Sequence, residues 1–199
     1  MRSLNQMILF LKGVRWKIIH SKNWYWPNFV AILKKRIILQ GEIPICLQYT
    51  IISGKGKTSI GKQCKFGAKM GGRHRNGAIE FQTRNKNARI IISDDVLSNN
   101  NIFLCSENYI EIGQSTLIGE GVTMMDHEPH GIDPKLRRQL GEIGKIKIGN
   151  NVWIGNNVTI LKNTIIGDNT IVAAGAVVTG QFPANVIIGG VPAKVIKVL

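Results

Sequence analysis

Residues 148–177 decide the fold, because they read IGNNVW-IGNNVT-ILKNTI-IGDNTI-VAAGAV, five consecutive units of six residues. Each unit begins with Ile or Val, has Val, Thr or Ala at position five, and mostly has Asn, Asp or Gly at positions three and four. Six residues can form one short strand and one sharp turn, in which Asn and Gly tolerate left-handed backbone angles. One unit cannot bury its own apolar face, so the repeat predicts a coil of stacked units with position one pointing inward.

The same period continues toward the N-terminus. Residues 112–123 form two further units in register, and Ile60-Gly61 and Phe66-Gly67 are similar unit starts. A slipped version of the period runs through Ile92, Ser98, Leu104 and Ile110. We therefore predict an all-β chain of short strands over residues 46–199, with a loop at 125–147 where the repeat is interrupted. An ordinary β-sandwich would not hold a strict six-residue period.

Residues 1–45 differ from the rest and predict a short helical segment rich in basic and aromatic residues. Trp16, Trp24, Tyr25 and Trp26 lie there, and Pro27 is expected to divide it into two short helices. Aromatic residues beside Lys and Arg are typical of a membrane interface, which makes peripheral membrane contact through residues 1–40 one interpretation. The alternative is a helical cap that covers one end of the core.

Charge and cysteine content limit the partners and the compartment. The chain has 26 basic and 12 acidic residues, a net charge of +14, which favours anionic partners. No nucleic-acid recognition motif accompanies that charge, so nucleic acid is not expected as a partner. The three cysteines show no metal-ligand or disulfide spacing, and the chain shows no signal peptide and no uncharged run that could span a bilayer. We expect no bound metal and a cytoplasmic location.

The repeats resemble those of the hexapeptide-repeat acyltransferases, above all the galactoside and maltose acetyltransferases and the related O-acetyltransferases of bacterial polysaccharide synthesis. The resemblance is most specific at 148–155 (IGNNVWIG) and at 177–194, which ends GGVPAK. It implies a left-handed parallel β-helix with a short helical N-terminal segment and a protruding loop. It also implies a homotrimer with each active site between two subunits, and acetyl-CoA as the co-substrate.

The interrupting loop carries the candidate general base. The resemblance places a catalytic histidine at the start of such a loop, which makes His127 the candidate, with Asp126 or Glu128 to orient it. An imidazole has an ordinary pKa near ~6.5, which suits proton transfer at neutral pH. His130 is the competitor for the same role and otherwise an acceptor-binding residue. His20 and His74 lie outside the motif.

The remaining site residues follow from the resemblance. Asn101 lies 11 residues before Ile112, the spacing of a family asparagine that contacts the acceptor, although Asn99 and Asn100 leave that assignment open. Trp153 resembles a tryptophan that walls the transfer pocket, and it is expected to point outward. The residues expected to bind CoA are Asn156, Ala174, Thr179, Lys194 and Lys197. Gly180 stands where the family often has a phosphate-binding lysine.

Together these features predict an O-acetyltransferase that acts on a hydroxyl of a sugar or surface-polysaccharide precursor. An amino sugar, serine or a xenobiotic is the alternative acceptor. A β-helix without catalytic activity, serving as a scaffold or binding polyanions, is the alternative from another functional class.

Overall fold

The computed structural model describes residues 21–68 and 77–199 together with positions 14, 18 and 19. Part of the predicted N-terminal segment, including Trp16 and His20, lies outside the described residues, as does His74. A short π-helical turn spans Ser21–Tyr25, and helix α1 spans Trp26–Leu33 with Pro27 in its first turn. Tyr25 has helical backbone angles (φ −68°, ψ −48°), so the π-helical turn runs directly into α1. The structure therefore shows a change of helix type at the place where the sequence predicts a break between two helices. No helix among the described residues is long and apolar enough to cross a bilayer.

The rest of the described chain is a three-sided coil, and each side is a sheet. Face I contains β1 (Ile37–Leu39), β4 (Lys57–Ile60), β7 (Arg89–Ile92), β10 (Tyr109–Ile112), β13 (Lys145–Ile148), β16 (Thr164–Ile166) and β19 (Gln181–Phe182). Face II contains β2 (Ile45–Cys46), β5 (Lys65–Phe66), β8 (Leu97–Ser98), β11 (Leu117–Ile118), β14 (Trp153–Ile154), β17 (Ile171–Val172), β20 (Val186–Gly190) and β21 (Ala193–Val198). Face III contains β3 (Thr50–Gly54), β6 (Ile79–Thr83), β9 (Phe103–Ser106), β12 (Thr123–Met125), β15 (Thr159–Ile160) and β18 (Val177–Val178).

Consecutive strands visit the three faces in turn, and strands one coil apart pair in parallel. For example, Leu117 pairs with Trp153 across β11 and β14, and Trp153 pairs with Ile171 across β14 and β17. Among the strands of the described residues, only β21 runs antiparallel to its neighbour, β20, where it closes the C-terminal coil. The architecture is the parallel β-helix that the repeat predicts, with the left-handed coil that the family resemblance implies.

The geometry of each repeat confirms the prediction from the sequence. The residues at position one are at most 3% exposed: Ile148, Ile154, Ile160, Ile166 and Val172. Full burial of one such side chain contributes roughly 1.5–3 kcal/mol, so the interior column is the main source of stability. The position-four residues Asn151, Asn157, Asn163 and Asn169 all have left-handed φ between 53° and 62°.

Glycine at position two lets the corners of successive coils approach closely. A Cβ on Gly149 would lie 2.4 Å from Oδ1 of Asp168, one coil further on. That Oδ1 instead accepts the backbone N–H of Asn150 at 2.7 Å. The polar residue at position three thus satisfies a backbone donor of the preceding coil, which explains why Asn and Asp recur there.

The coil begins earlier than the predicted boundary at residue 46. Strand β1 starts at Ile37 and pairs with β4, so the helical part of the described N-terminal residues ends at Leu33. Helix α1 is fastened to the first coil by Asn28, whose Nδ2 donates to the carbonyl of Thr50 at 2.8 Å and whose Oδ1 accepts from the N–H of Ile52 at 2.6 Å.

Candidate active site

A buried carboxylate lies where the chain leaves face III. Asp126 directly follows β12 and is 0% exposed. It accepts hydrogen bonds from Ser106 Oγ at 2.7 Å and from the backbone N–H groups of Glu107, Asn108 and Tyr109 at 2.8, 3.0 and 2.7 Å. Four donors on one carboxylate hold it in a single orientation and compensate its removal from water.

Three of those donors lie at the corner between β9 and β10 in the preceding coil, where the chain has two extra residues. Leu104 and Ile112 are both buried starts of repeat units, yet they lie eight positions apart rather than six. The extra residues widen the corner between β9 and β10, and its backbone N–H groups turn toward Asp126. The slipped register in the sequence therefore marks the corner whose backbone N–H groups hold the Asp126 carboxylate.

His127 is oriented by this carboxylate. Its Nδ1 lies 3.0 Å from Oδ1 of Asp126, and since a carboxylate only accepts hydrogen bonds, Nδ1–H is the donor. Nε2 is then the nitrogen with a free lone pair. Nε2 is buried and has no hydrogen-bond partner among the described residues. The arrangement can accept a proton at Nε2 and stabilise the resulting imidazolium through Asp126.

His130 has a different environment. It is exposed on the outgoing arm of the loop, and its Nδ1 lies 3.0 Å from the backbone carbonyl oxygen of Arg137. Within the part of the chain that the structure describes, no carboxylate forms a hydrogen bond with His130. The sequence made both histidines candidates for the general base. Of the two, His127 is the one whose Nδ1 is hydrogen-bonded to Asp126.

The loop itself, residues 126–144, is a narrow hairpin whose arms pair across its neck. Glu128 N–H donates to the carbonyl of Glu142 at 2.9 Å, and Gly141 N–H donates back to that of Glu128 at 3.0 Å. A backbone bridge joins His127 to Ile143 one step nearer the coil. The neck thus fixes the backbone on both sides of the histidine.

Lys162 fastens this neck to the next coil. Its Nζ lies 3.3 Å from Oε1 of Glu128 and forms a shorter ion pair with Oε2 of Glu142. Asn163 Nδ2 adds a 3.3 Å hydrogen bond to Glu142. Hydrogen bonding with Lys162 lowers the pKa of Glu142, and the same hydrogen bond raises the pKa of Lys162. The sequence analysis did not single out Lys162. A lysine at position three, where Asn or Asp is usual, could have indicated a contact different from the usual corner hydrogen bond.

We call the edge between faces II and III the groove edge. An open groove of about 290 Å³ lies along face II and this edge. Trp153 is 55% exposed and forms part of its wall. Asn99, Leu117 and Asn156 line the same groove. Trp153 points outward, and the groove combines an aromatic surface with amide groups, which is the chemistry that sugar rings and polar chains bind.

Asn101 lies at the groove edge but is held by neighbouring side chains. Its Oδ1 accepts from Gln48 Nε2 at 2.8 Å, its backbone N–H donates to Gln48 Oε1 at 2.7 Å, and its Nδ2 lies 3.3 Å from Oε1 of Glu120. Its left-handed φ of 61° is like that of the asparagines at the turns of the other repeats, so Asn101 also forms a turn between strands. Of the three consecutive asparagines, Asn99 is the one that lines the groove. Gln48, 53 residues away in sequence, gave no signal in advance.

The residues expected to bind CoA are spread over the last coils. Ala174 is exposed on the groove edge one coil beyond Asn156, and the carbonyl of Asn156 accepts the N–H of Gly175 at 2.8 Å. Thr179 follows β18, on the other edge of face III. Lys194 and Lys197 are exposed on β21.

These residues therefore occupy two separate edges of one chain. His127 and Thr179 lie on the edge between faces III and I, which we call the loop edge, whereas Trp153, Asn156 and Ala174 lie on face II and the groove edge. A strand advances about 3.3 Å per residue, so the two edges of face III lie on the order of 15 Å apart. One small hydroxyl cannot contact both edges of the same chain.

The sequence matches the family model "Bacterial transferase hexapeptide (six repeats)" over residues 145–180. An Escherichia coli (strain K12) protein, WbbJ, named provisionally as a lipopolysaccharide biosynthesis O-acetyl transferase, is 40% identical over 120 residues, 54% of this chain and 60% of WbbJ. Galactoside O-acetyltransferase from the same strain is 38% identical over 112 residues, 55% of this chain and 54% of that protein. The chain thus spans little more than half the length of these two relatives.

Solved structures share the fold. A galactoside acetyltransferase in complex with coenzyme A superimposes with a TM-score of 0.53 at 25% identity, covering 96% of this chain and 82% of that chain. A hexapeptide-repeat acetyltransferase from Vibrio cholerae gives a TM-score of 0.54 at 23% identity over 100% of this chain and 94% of that chain.

Proposed function

We propose that the chain transfers an acetyl group from acetyl-CoA to a hydroxyl of a sugar or of a surface-polysaccharide precursor; the hexapeptide repeats at residues 145–180 and the two Escherichia coli relatives support this. The single observation that carries this proposal is the buried Asp126–His127 pair, which leaves Nε2 of an oriented imidazole as a proton acceptor. The names of the two Escherichia coli relatives support transfer to oxygen.

The proposed reaction needs only proton transfer and acyl transfer. Nε2 of His127 takes the hydroxyl proton while the acceptor oxygen attacks the thioester carbonyl. The resulting tetrahedral intermediate collapses, the C–S bond breaks, and the CoA thiolate takes the proton back from the imidazolium. Asp126 stabilises the imidazolium between these steps, as a carboxylate does beside a histidine base.

We propose that the working enzyme is a homotrimer with its active sites between subunits. The separation of the loop edge from the groove edge supports this, because a neighbouring chain can place its groove edge against the base of the loop that carries His127. The loop also exposes apolar side chains, with Ile132 71% and Leu136 45% exposed, and Leu117 on face II is 46% exposed. Packing the loop of one subunit against face II of the next would cover both surfaces.

Acetyl-CoA is proposed to lie along the outside of the last coils. The small side chain of Ala174 lets a pantetheine arm approach the backbone at the groove edge, and Asn156 lies one coil before it. Thr179 lies on the loop edge, toward which the pantetheine arm would extend. Lys194 and Lys197 would meet the phosphates as point charges. Gly180 supplies no side chain for a further phosphate contact, so fewer lysines hold the nucleotide end.

Trp153 and Asn156 support a carbohydrate as the acceptor, since an exposed indole stacks on a sugar face and amide groups bind hydroxyls. We propose that His130, exposed on the loop, contributes to acceptor binding together with Asn101. A cytoplasmic location fits the three cysteines, all of which are free thiols. Contact with the inner face of a membrane fits the basic N-terminal region.

The test is an acetylation assay on purified protein, with methyl β-galactoside, maltose, glucosamine and serine as acceptors and mass spectrometry of the product. We expect acetylation of a sugar hydroxyl, and His127→Ala should lower the rate by about 10²–10⁴-fold, the usual contribution of a general base. His130→Ala serves as the matched control and should weaken acceptor binding with little effect on kcat. Equal loss in both variants would exclude His127 as the base, and acetylation at nitrogen alone would exclude O-acetyl transfer.

A further inference from the structure

Helix α1 presents an apolar stripe to solvent. Trp26, Phe29, Val30 and Leu33 are 79%, 60%, 55% and 66% exposed. Their spacing of three, four and seven residues places them on one side of an α-helix. Four large apolar side chains on two helical turns are more than the scattered exposed residues of an ordinary surface.

The stripe points away from the coil because the other side of the helix is fastened. Ala31 is 6% exposed, and Asn28 is 0% exposed with its amide bonded to both Thr50 and Ile52 of β3. Trp24, just before the helix, is 1% exposed in the core. The helix therefore cannot turn its apolar stripe inward without breaking the buried Asn28 hydrogen bonds.

The surroundings of the stripe are strongly basic. Residues 21–60 contain six basic residues and one acidic residue, Glu42, so their net charge is 6 − 1 = +5. Lys22, Lys34 and Lys35 are exposed at the two ends of α1. A second copy of this chain would bring the same positive charge against it, whereas an anionic lipid surface offers both an apolar layer for the stripe and a negative charge for the lysines.

We propose that the α1 stripe is a docking surface for an anionic bilayer, with Trp26, Phe29 and Leu33 inserted at the interface and Lys34 and Lys35 meeting the headgroups. A catalytic coil held in this way is close to acceptors that are themselves attached to lipid. This interaction is independent of the acetylation chemistry, which involves neither α1 nor its lysines.

The test is sedimentation of the full chain with vesicles of phosphatidylcholine alone and of phosphatidylcholine with 30% phosphatidylserine, a composition chosen for roughly physiological negative charge. We expect co-sedimentation with the anionic vesicles and at least about tenfold less with the neutral ones, and loss of binding as salt rises. Phe29→Ser/Leu33→Ser should abolish it, and Lys34→Glu/Lys35→Glu should abolish it by reversing the charge.

The matched control is Val191→Ser/Val198→Ser, which removes two apolar side chains that are 73% and 68% exposed at the other end of the coil. This variant should bind the anionic vesicles like wild type. Circular dichroism checks folding, and acetylation of a soluble acceptor should be unchanged in the α1 variants, which separates failure of docking from failure of catalysis. Wild-type binding by Phe29→Ser/Leu33→Ser, or a change in oligomeric state instead of a loss of vesicle binding, would overturn the proposal. Retention of the wild type on RNA but not on anionic vesicles would overturn it in favour of a nucleic-acid partner.

Discussion

Nδ1 of His127 lies 3.0 Å from Oδ1 of Asp126, and the same carboxylate is held by Ser106 and by three successive backbone N–H groups of the neighbouring coil. The histidine orientation therefore depends on the stacking of two coils and not on the loop alone. This relationship accounts for how a side chain at the base of a protruding loop can be as fixed as a core residue.

Replacement of Asp126 by Asn tests this dependence. The amide can donate as well as accept, so it no longer requires Nδ1–H of His127 to point toward it, and the imidazole loses both its orientation and its counter-charge. We expect Asp126→Asn to lower kcat by about 10²-fold or more, as loss of a positioned base does. Steady-state kinetics would measure it.

Ser106→Ala is the control for that substitution, because it removes one donor to Asp126 without touching the histidine. It should lower the melting temperature slightly and leave most of kcat. A kcat for Asp126→Asn within twofold of wild type would show that the carboxylate has a structural role only.

Lys162→Met should loosen the neck of the loop. Glu128 and Glu142 lie on facing arms, and without the ammonium group their like charges repel. Misplacement of a catalytic group by about 1 Å can cost up to about 10²-fold, so we expect a fall in kcat between about 10- and 100-fold with a smaller change in KM. Lys162→Arg keeps the charge and should restore most of the rate.

The same clamp predicts a pH window. The pKa of Glu142 is lowered by Lys162, so its stabilising contribution is present above the unfolded value near ~4.3 and is lost as pH falls through the lower folded value. The pKa of Lys162 is raised, so its contribution is present below the unfolded value near ~10.4 and is lost only as pH rises above that. Hydrogen exchange of residues 128–142, compared between wild type and Lys162→Met at each pH, should differ between these limits and converge in acid. Identical exchange at pH 7 would contradict the clamp.

The interior column predicts a contrast between two isoleucines. Ile160 is 0% exposed at position one of a repeat, whereas Ile38 is 43% exposed on β1. Ile160→Ala should lower the free energy of unfolding by about 2–5 kcal/mol, the usual cost of removing a buried aliphatic side chain. Ile38→Ala, the same chemical change at the surface, should cost less than about 1 kcal/mol. Denaturant unfolding with both variants would measure the difference.

The cysteines should be unreactive in the native state. Cys46, Cys64 and Cys105 are at most 1% exposed, and burial raises the pKa of the Cys46 thiol to about 12. Burial raises the pKa of the other two thiols as well. A thiol reagent at pH 8 should therefore label none of the three before unfolding and all of them in guanidinium. Rapid labelling of one native thiol would show that its part of the coil opens.

The sequence was sufficient for the coil where the repeat is regular. The first residues of the repeat units from Ile148 to Val178 point inward as predicted, because a six-residue period allows only one arrangement that buries all of them. It was insufficient for β1 and β2, since Leu39, which pairs with the unit start Ile60, is followed by Gln40 rather than Gly, and residues 37–46 contain no Asn. The orientation of α1 depends on Asn28 reaching Thr50 and Ile52, contacts that no local pattern encodes.

The sequence identified only some of the residues that form the candidate site. The sequence identified His127 and Trp153 as candidates, but it did not rank Asn99 above Asn101, because which asparagine faces the groove depends on Gln48 in another coil. The donors around Asp126 are backbone groups at a widened corner, and only the slipped register between Leu104 and Ile112 indicated that something differed there.

The most direct test of an active site shared by two subunits is mixed assembly of two variants, each lacking one side chain of the proposed site. His127→Ala and Trp153→Ala chains would be unfolded together, refolded in equal amounts and assayed for acetyl transfer. If the histidine and the tryptophan of each site come from different subunits, random mixing gives each site a one-in-four chance of an intact pair, so about a quarter of the wild-type rate should return. No recovery beyond the sum of the two variants, with hetero-oligomers demonstrated by mass spectrometry, would contradict the shared site.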